Sequence, residues 1–560
     1  MLDRRAFLVA AGALTGGCVA GTASATQPAD SHRSTAPDSE HQSGTADSYE
    51  PLGSVDVPGA RDAAVAGDVA YVAAGDGFVV VDVADPQEPA ILAERREIET
   101  DTSQQLLGIW DVWPWANRLV VAGPAQLVPS RPTGVALFDV SDPATPEQVA
   151  FHPTDEYIHN LHVADGVVYL TGRDDGMSVV MVDIGDDDPV EVGRWSPLDA
   201  DERWADVEPP LRLLHDVYVQ DGMAYLPYWD AGTWLVDVSD PTAPVARGRV
   251  ADYTFAELAA VPPEQANLVA RTPRGAHHYA QVDETGSVLA VGRETWAVDD
   301  DRGVVGEAGR RVGGASGIDL YDVSDPTAPE HRASIEPPES VDQRIDRWFT
   351  TAHNFDIRGE RLYSSWYFGG VAVYDVSDPA SPVELARWRQ PREASFWTAQ
   401  AVEASVQASE GGTHGETSDA FVASSADLST VFGGLSETRE ALYLFPDRAG
   451  SQADPPSLTD WPEDLFGSEP DHPDIDWAGA SVSRVVDVGG QDGNQSNGTD
   501  TDSGAGDPNG TNTSETDGTE TDDADGDGDG PGMGLAAALT GLGGYLLARR
   551  TGRLSDSDGE

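Results

Sequence analysis

A ten-residue phrase recurs along this chain and constrains its fold more than any other feature. "LVDVSDPTAP" begins at Leu235, "LYDVSDPTAP" at Leu320 and "VYDVSDPASP" at Val373. "LFDVSDPATP" from Leu137 and "VVDVADPQEP" from Val80 are further copies, and "MVDIGDDDPV" from Met181 is a worn one. A segment repeated in this way requires a repeated structural unit, one that buries its apolar face by stacking on its neighbours.

The unit is a four-stranded one. In the copy around Leu235, "HDVYV" ends at the turn "QDG" and "MAYLPY" ends at "WDAG". "TWLVDV" then ends at "SDPTAP", and "VARGRV" follows. Asp-Gly and Asp-Pro pairs between apolar, β-branched runs are turn signals. Pro241 cannot donate to a strand ladder, which puts it in the turn, where Asp240 can accept from nearby backbone amides. Six such units span about 61–96, 109–152, 158–195, 214–250, 277–335 and 352–388. A seventh, degenerate unit uses "FWTAQAV" (Phe396), "DAFVASS" (Asp419) and "ALYLF" (Ala441) and has no outer strand of its own. "PLGSVDV" from Pro51 matches the outer-strand pattern and is expected to complete it, closing the ring and removing the exposed edges.

The expected fold is therefore all-β: a seven-bladed β-propeller of four-stranded blades over residues 49–450. An eighth blade using "SVSRVVDV" (Ser481) is the rival reading, and 451–490 is expected to be either that extra strand or a wrap across one face. The repeats resemble the LVIVD-repeat family, over about residues 50–450.

In a propeller the first strand of each blade lines the central axis. Aligning the blades brings Arg61, Trp110, His159, His215, His278, His353 and Trp397 to one level, followed by Asp62, Asp111, Asn160, Asp216, Tyr279, Asn354 and Thr398. Four of the chain's 12 His thus fall at one repeat position, in four consecutive blades. Neutral imidazole suits Fe, Zn, Cu or Ni, with Asp216 and Glu294 as candidate acceptors orienting the rings from behind. The arrangement is similar to that of carotenoid-cleaving oxygenases, propellers that hold iron with four His. The alternative is a polar ring that hydrogen-bonds adjacent strands and water, with no ion. Whether His277 or His278 faces the axis stays open. Tyr228 and Trp229, matched two blades on by Trp366 and Tyr367, are candidate binding aromatics for an extracellular protein, glycan or small molecule. The acidic insertion at 297–317 is expected to loop over one face. No Lys-bearing phosphate loop, HExxH or nucleophile elbow occurs.

Both chain ends read as attachment devices. In "MLDRRAFLVAAGALTGGCVAG", Arg4 and Arg5 precede a short apolar run, which resembles a twin-arginine export signal (residues 1–25). Cys18, the only Cys, follows Thr15, Gly16 and Gly17 in a lipobox-like setting, so it is the candidate lipidation site. A linker is expected over 26–48. Residues 491–530 are Asp, Gly, Thr, Ser and Asn with almost no apolar side chains, the composition of a solvated stalk. Residues 531–550 are apolar and end in Arg549 and Arg550, which suits a membrane helix with the arginines on the cytoplasmic side. This order resembles the PGF-CTERM sorting signal, with Met533 in place of its Phe and a tail beyond the arginines. The expected location is the outer face of the cell membrane. The charge balance is 97 acidic residues to 34 basic, net −63, and every basic residue is Arg. Such a surface repels nucleic acid and resembles the proteins of salt-loving archaea, where molar salt screens self-repulsion within about 3 Å.

Overall fold

The fold was obtained as a computed structural model, which describes residues 48–126, 128–185, 188–300, 310–403, 417–432 and 437–468. The export signal, Cys18, the stalk and the C-terminal apolar run lie outside these residues. Among the described residues no helix is long and apolar enough to cross a membrane.

Seven antiparallel four-stranded sheets follow one another around an axis. The fourth blade is typical: Tyr218–Gln220, Met223–Pro227, Thr233–Asp237 and Val245–Val250, each paired with the next. The fifth, from His277–Val282 to Glu330–Ile335, carries an inserted hairpin of Ala297–Asp300 and Arg310–Gly313 between its second and third strands. The seventh takes Phe396–Glu403, Thr417–Ser425 and Ala441–Pro446 from the C-terminal side and Gly53–Asp56 from the N-terminal side. Ser54 pairs with Tyr443 and Val55 with Leu442, so the ring closes as the sequence implied.

The repeated phrase has a local cause. Five of the copies make the same two side-chain turns: Asp237 accepts from the Ser239 amide at 3.1 Å, and Asp240 from the Thr242 amide at 3.0 Å. The pair recurs at Asp82 and Asp85, at Asp139 and Asp142, at Asp322 and Asp325, and at Asp375 and Asp378. A bulge also recurs between third and fourth strands, as at Leu235/Val236 and Leu320/Tyr321, adding local twist where the blade needs it. The alternating strands put one apolar face of each blade against its neighbour. Thus Tyr225, Leu235, Ala280, Val282, Leu289 and Val291 form the core between blades four and five. Val57, Ala70, Val79, Val422, Leu442 and Leu444 form the one between blades seven and one.

Beyond the last strand, the chain up to residue 468 forms no further strand. It lies against blades five to seven: Leu458 accepts from the Val341 amide at 2.8 Å, Pro456 from Arg389 Nε at 2.8 Å, and Leu458 packs with Trp348 and Phe349.

Candidate functional site

The blade starts converge at one mouth of the central channel. Ring centroids run Trp110–His159 5.4 Å, His159–His215 4.5 Å, His215–His278 4.0 Å and His278–His353 4.4 Å. The circuit continues His353–Trp397 4.5 Å and Trp397–Trp110 5.6 Å, with the Arg61 guanidinium 6.0 Å from both tryptophan rings. Seven residues spread over more than 330 positions of chain therefore touch in sequence order. His278 is the axial residue of its pair. His277 instead bonds Thr233 Oγ1 at 2.9 Å and Asp252 Oδ2 at 3.1 Å.

The imidazoles differ in how they are held. His159 Nδ1 lies 2.9 Å from the Ala125 carbonyl and His353 Nδ1 lies 2.6 Å from the Trp397 carbonyl. Each carbonyl accepts a hydrogen bond from Nδ1–H, which keeps the proton on Nδ1 and leaves Nε2 with its lone pair. His215 Nδ1 and both nitrogens of His278 are buried without a hydrogen-bond partner among the described residues. Burial pulls all four below the ordinary histidine value, His159 to about 4 and His353 to about 3, so each is neutral near pH 7. Neutral imidazole is the form that ligates metal.

Glu294 belongs to this cluster directly. Its Oε2 lies 3.6 Å from His278 Nε2, and ligand atoms of His215, His278 and Glu294 all fall within 4.8 Å of one another. Tyr367 donates to Glu294 Oε1 at 2.5 Å. Burial pushes the Glu294 carboxyl up to about 7, while that hydroxyl works the other way. The sequence placed Glu294 behind the histidines, whereas the structure places it among them.

Three other expected residues are corrected by position. Asp216 accepts from Asn160 Nδ2 and the Val217 amide one level deeper and makes no hydrogen bond to an imidazole among the described residues. Tyr228 is 0 % exposed with its hydroxyl on the Trp195 carbonyl, and Trp366 is 0 % exposed with Nε1 on Ser364 Oγ. Both are packed between blades, because the residue that follows the second strand points into the interblade core. Their successors point to the mouth. Trp229 packs 5.2 Å from His215 and Tyr367 packs 4.7 Å from His353. Trp229 and Tyr367 both adopt positive φ, 49° and 47°, and each bridges to the next blade's inner strand, at His277 and Phe396.

Beneath the histidines lies a carboxylate level. Asp62 accepts from Asn354 Nδ2 at 2.6 Å, Asp111 from the Leu161 amide at 2.7 Å, and Asp216 from Asn160. Burial raises all three, Asp62 to about 6, and mutual repulsion adds to the rise at Asp111.

Above the histidines opens a pocket of about 430 Å³, with His159 and His215 on its floor and Trp229, Trp296, Leu213 and Phe432 among its walls. The inserted hairpin supplies Ala297, Val298 and Asp299 to its side, so the predicted loop over one face borders the pocket. The sequence reading missed Arg173 and Arg271, which also line it. Arg173 stands two residues into the turn after the second strand of its blade, the place that Trp229, Glu294 and Tyr367 hold in theirs. Aligning the blades there, as well as at the first strand, would have found it. Arg271 lies in the 251–276 connection between blades four and five, where no repeat sets the phase.

Residues 59–94 and 214–252 match the LVIVD repeat. No curated protein matches the chain. Among solved structures it is similar to the Myceliophteria thermophila Cps50 (Swd1) β-propeller domain, at 10 % identity and TM-score 0.44, covering 71 % of this chain and 99 % of that one. It is also similar to a functionally unknown protein from Desulfotomaculum acetoxidans, at 11 % identity and TM-score 0.38, covering 57 % and 83 %. A computationally designed protein, Ika8, gives 10 % identity and TM-score 0.38, covering 72 % and 96 %. The chain is a seven-bladed propeller, two segments of which match the LVIVD repeat.

Proposed function

We propose that this propeller binds a small molecule in its axial pocket over a transition metal ion, on the outer face of a cell membrane. The observation that carries the metal is the donor set: buried imidazole nitrogens of His215 and His278 without partners, beside the Glu294 carboxylate. Buried polar atoms are normally satisfied, and two His with one carboxylate suit Fe(II). Zn, Cu and Ni also take imidazole. His215, His278 and Glu294 would hold the ion, with His159 and His353 as flanking donors.

Bound there, the ion would supply Lewis acidity at the pocket floor. The chain's residues supply the rest. Tyr367 fixes the Glu294 carboxylate, and the Ala125 and Trp397 carbonyls fix the His159 and His353 rings. Trp229 packs against the His215 ring and supplies an apolar wall beside it. Catalysis at the ion is the second reading, favoured because the pocket opens on His159 and His215. Support for the location comes from Arg4, Arg5 and Cys18 at one end and the apolar run ending at Arg549 and Arg550 at the other.

Elemental analysis of the protein purified in molar salt and reloaded with Fe(II) or Zn(II) tests the metal. Stoichiometric metal is expected in the wild type, lost in His215→Ala and reduced in His353→Ala. A wild type that retains no metal removes the ion and leaves a polar ring satisfied by water.

A further inference from the structure

The pocket holds more positive charge than its own acids match, on a chain with net charge −63. Three arginines line it, Arg173, Arg271 and Arg344, with two acids, Asp299 and Asp346. Arg344 is committed to Asp342 at 2.8 Å and Asp299 at 3.3 Å. Asp299 also takes Arg311 at 2.8 Å, and Asp346 takes Arg347 at 2.8 Å. Those charges are matched.

Arg173 and Arg271 reach no carboxylate among the described residues. Arg173 is 4 % exposed; it donates to the Leu214 carbonyl and lies 5.6 Å over the Tyr157 ring. The Arg271 side chain is half-buried, and its guanidinium makes no hydrogen bond or ion pair among the described residues; only its backbone is engaged, the amide donating to the Leu268 carbonyl and the carbonyl accepting from the Trp296 amide, each at 3.2 Å. Burial without a countercharge pulls both guanidiniums below the ordinary arginine range. Buried charges are ordinarily paired, and with 97 acids to 34 bases partners are abundant in this chain.

We infer that Arg173 and Arg271 receive the anionic end of the pocket's ligand, a carboxylate carried on an apolar body. A guanidinium presents a planar fork that matches a carboxylate through two parallel hydrogen bonds. The remaining wall, with Leu213, Trp229, Trp296, Ile345 and Phe432, suits an aromatic or branched apolar group, and about 430 Å³ admits one of drug-like size. Arg173 donates to the carbonyl of Leu214, the residue before His215, and lines the same pocket as His159 and His215, so an anion held there brings its neighbouring atoms toward the histidine floor. The inference rests on the pocket being the ligand site and does not need the metal.

The test is a titration of the intrinsic tryptophan fluorescence, in molar KCl, with 4-phenylbutyrate, its neutral amide and acetate. The acid is expected to saturate, with the amide and acetate each about tenfold or more weaker, as for loss of a charge-assisted contact or of the apolar body. Arg271→Gln should weaken the acid about tenfold and leave the amide unchanged, while Arg271→Lys restores part of the affinity. Circular dichroism shows whether the variants fold. Equal binding of acid and amide, an unaltered Arg271→Gln, acetate binding as tightly as phenylbutyrate, or no saturable binding at millimolar acid would each overturn it. Metal content, measured on the same samples, is expected to be the same in wild type and Arg271→Gln. Acid binding by a metal-free wild type would retain this inference while removing the metal.

Discussion

The Tyr367 hydroxyl decides which way the Glu294 carboxylate faces, since it is that carboxylate's only hydrogen-bond donor among the described residues. Tyr367→Phe keeps the buried ring and frees the carboxylate to turn. Metal affinity by chelator competition is then expected to fall about 10- to 100-fold, the usual cost of losing an orienting partner, and stability to fall by about 1–3 kcal/mol because the buried carboxyl loses its donor. Asp62 gives a second residue-scale prediction. Its folded carboxyl is raised by burial to about 6 from 3.8, so between those values the native state holds a proton that the unfolded chain does not. Its contribution is present below about pH 4 and is lost as pH rises through about 6, by up to about 3 kcal/mol. The buried neutral histidines act the other way over this range, so the readout is the difference between variant and wild type. The denaturation midpoint of Asp62→Asn should gain on that of the wild type as pH rises from 4 to 7, and a difference that does not change with pH would refute the assignment. At this scale the sequence was legible wherever the repeat set the phase. His159, His215, His278 and His353 could be superposed because each opens a blade. Glu294 was seen but misplaced, and Tyr228 and Trp366 were grouped with Trp229 and Tyr367, because a turn residue's direction depends on backbone angles such as the positive φ at Trp229 that side-chain type does not reveal.

Strands and turns repeat here because each repeat serves its neighbour as well as itself. In the fourth strand of blade four, Gly248 sits opposite Leu235, and a β-carbon there would fall 1.9 Å from the Pro326 carbonyl oxygen of the next blade's turn. Gly193 meets Pro241 the same way at 2.0 Å, and Gly53 in the closing strand meets Pro86 at 2.6 Å. The Asp-Pro turn of one blade thus seats on the outer strand of the blade before it, which is why that turn is conserved in wording from copy to copy within this chain while the loops on the opposite edge are not. Gly248→Val should force the two blades apart and cost about 1–3 kcal/mol, as overpacking does. Urea denaturation in molar salt would measure it, and an unchanged midpoint would mean the turn does not seat there. The turn chemistry made blade number and strand order readable from Asp240, Pro241 and their equivalents. The hairpin Ala297–Asp300 with Arg310–Gly313 was less readable, since its acidic, glycine-rich sequence carries no period-two pattern.

At the scale of the whole molecule, everything depends on closure between the two ends of the propeller. The axial histidines come together only if the blades form a ring of fixed curvature, and that ring is fastened by Gly53–Asp56 on Ala441–Pro446, some 390 residues away. The fastening is more than four ladder pairs. Tyr49 packs against Phe445 and places its hydroxyl 3.1 Å from the Pro446 carbonyl, Val57 is wholly buried in the core between blades seven and one, and Asp56 pairs with Arg439 at 2.6 Å. Tyr49 and Val57 alone, at about 2 kcal/mol each for full burial, bring the clasp to the order of 4 kcal/mol, before the exposed edge of Ala441–Pro446 is counted. A protein begun at residue 59 should therefore melt at a lower temperature and self-associate in size-exclusion chromatography, because the bared strand offers a pairing template. A synthetic peptide of residues 48–58, added in excess, should bind it and restore both the melting temperature and the monomer. If the truncated protein keeps the full melting temperature and the peptide does nothing, the ring is held by interblade packing alone and the N-terminal strand is dispensable to the site.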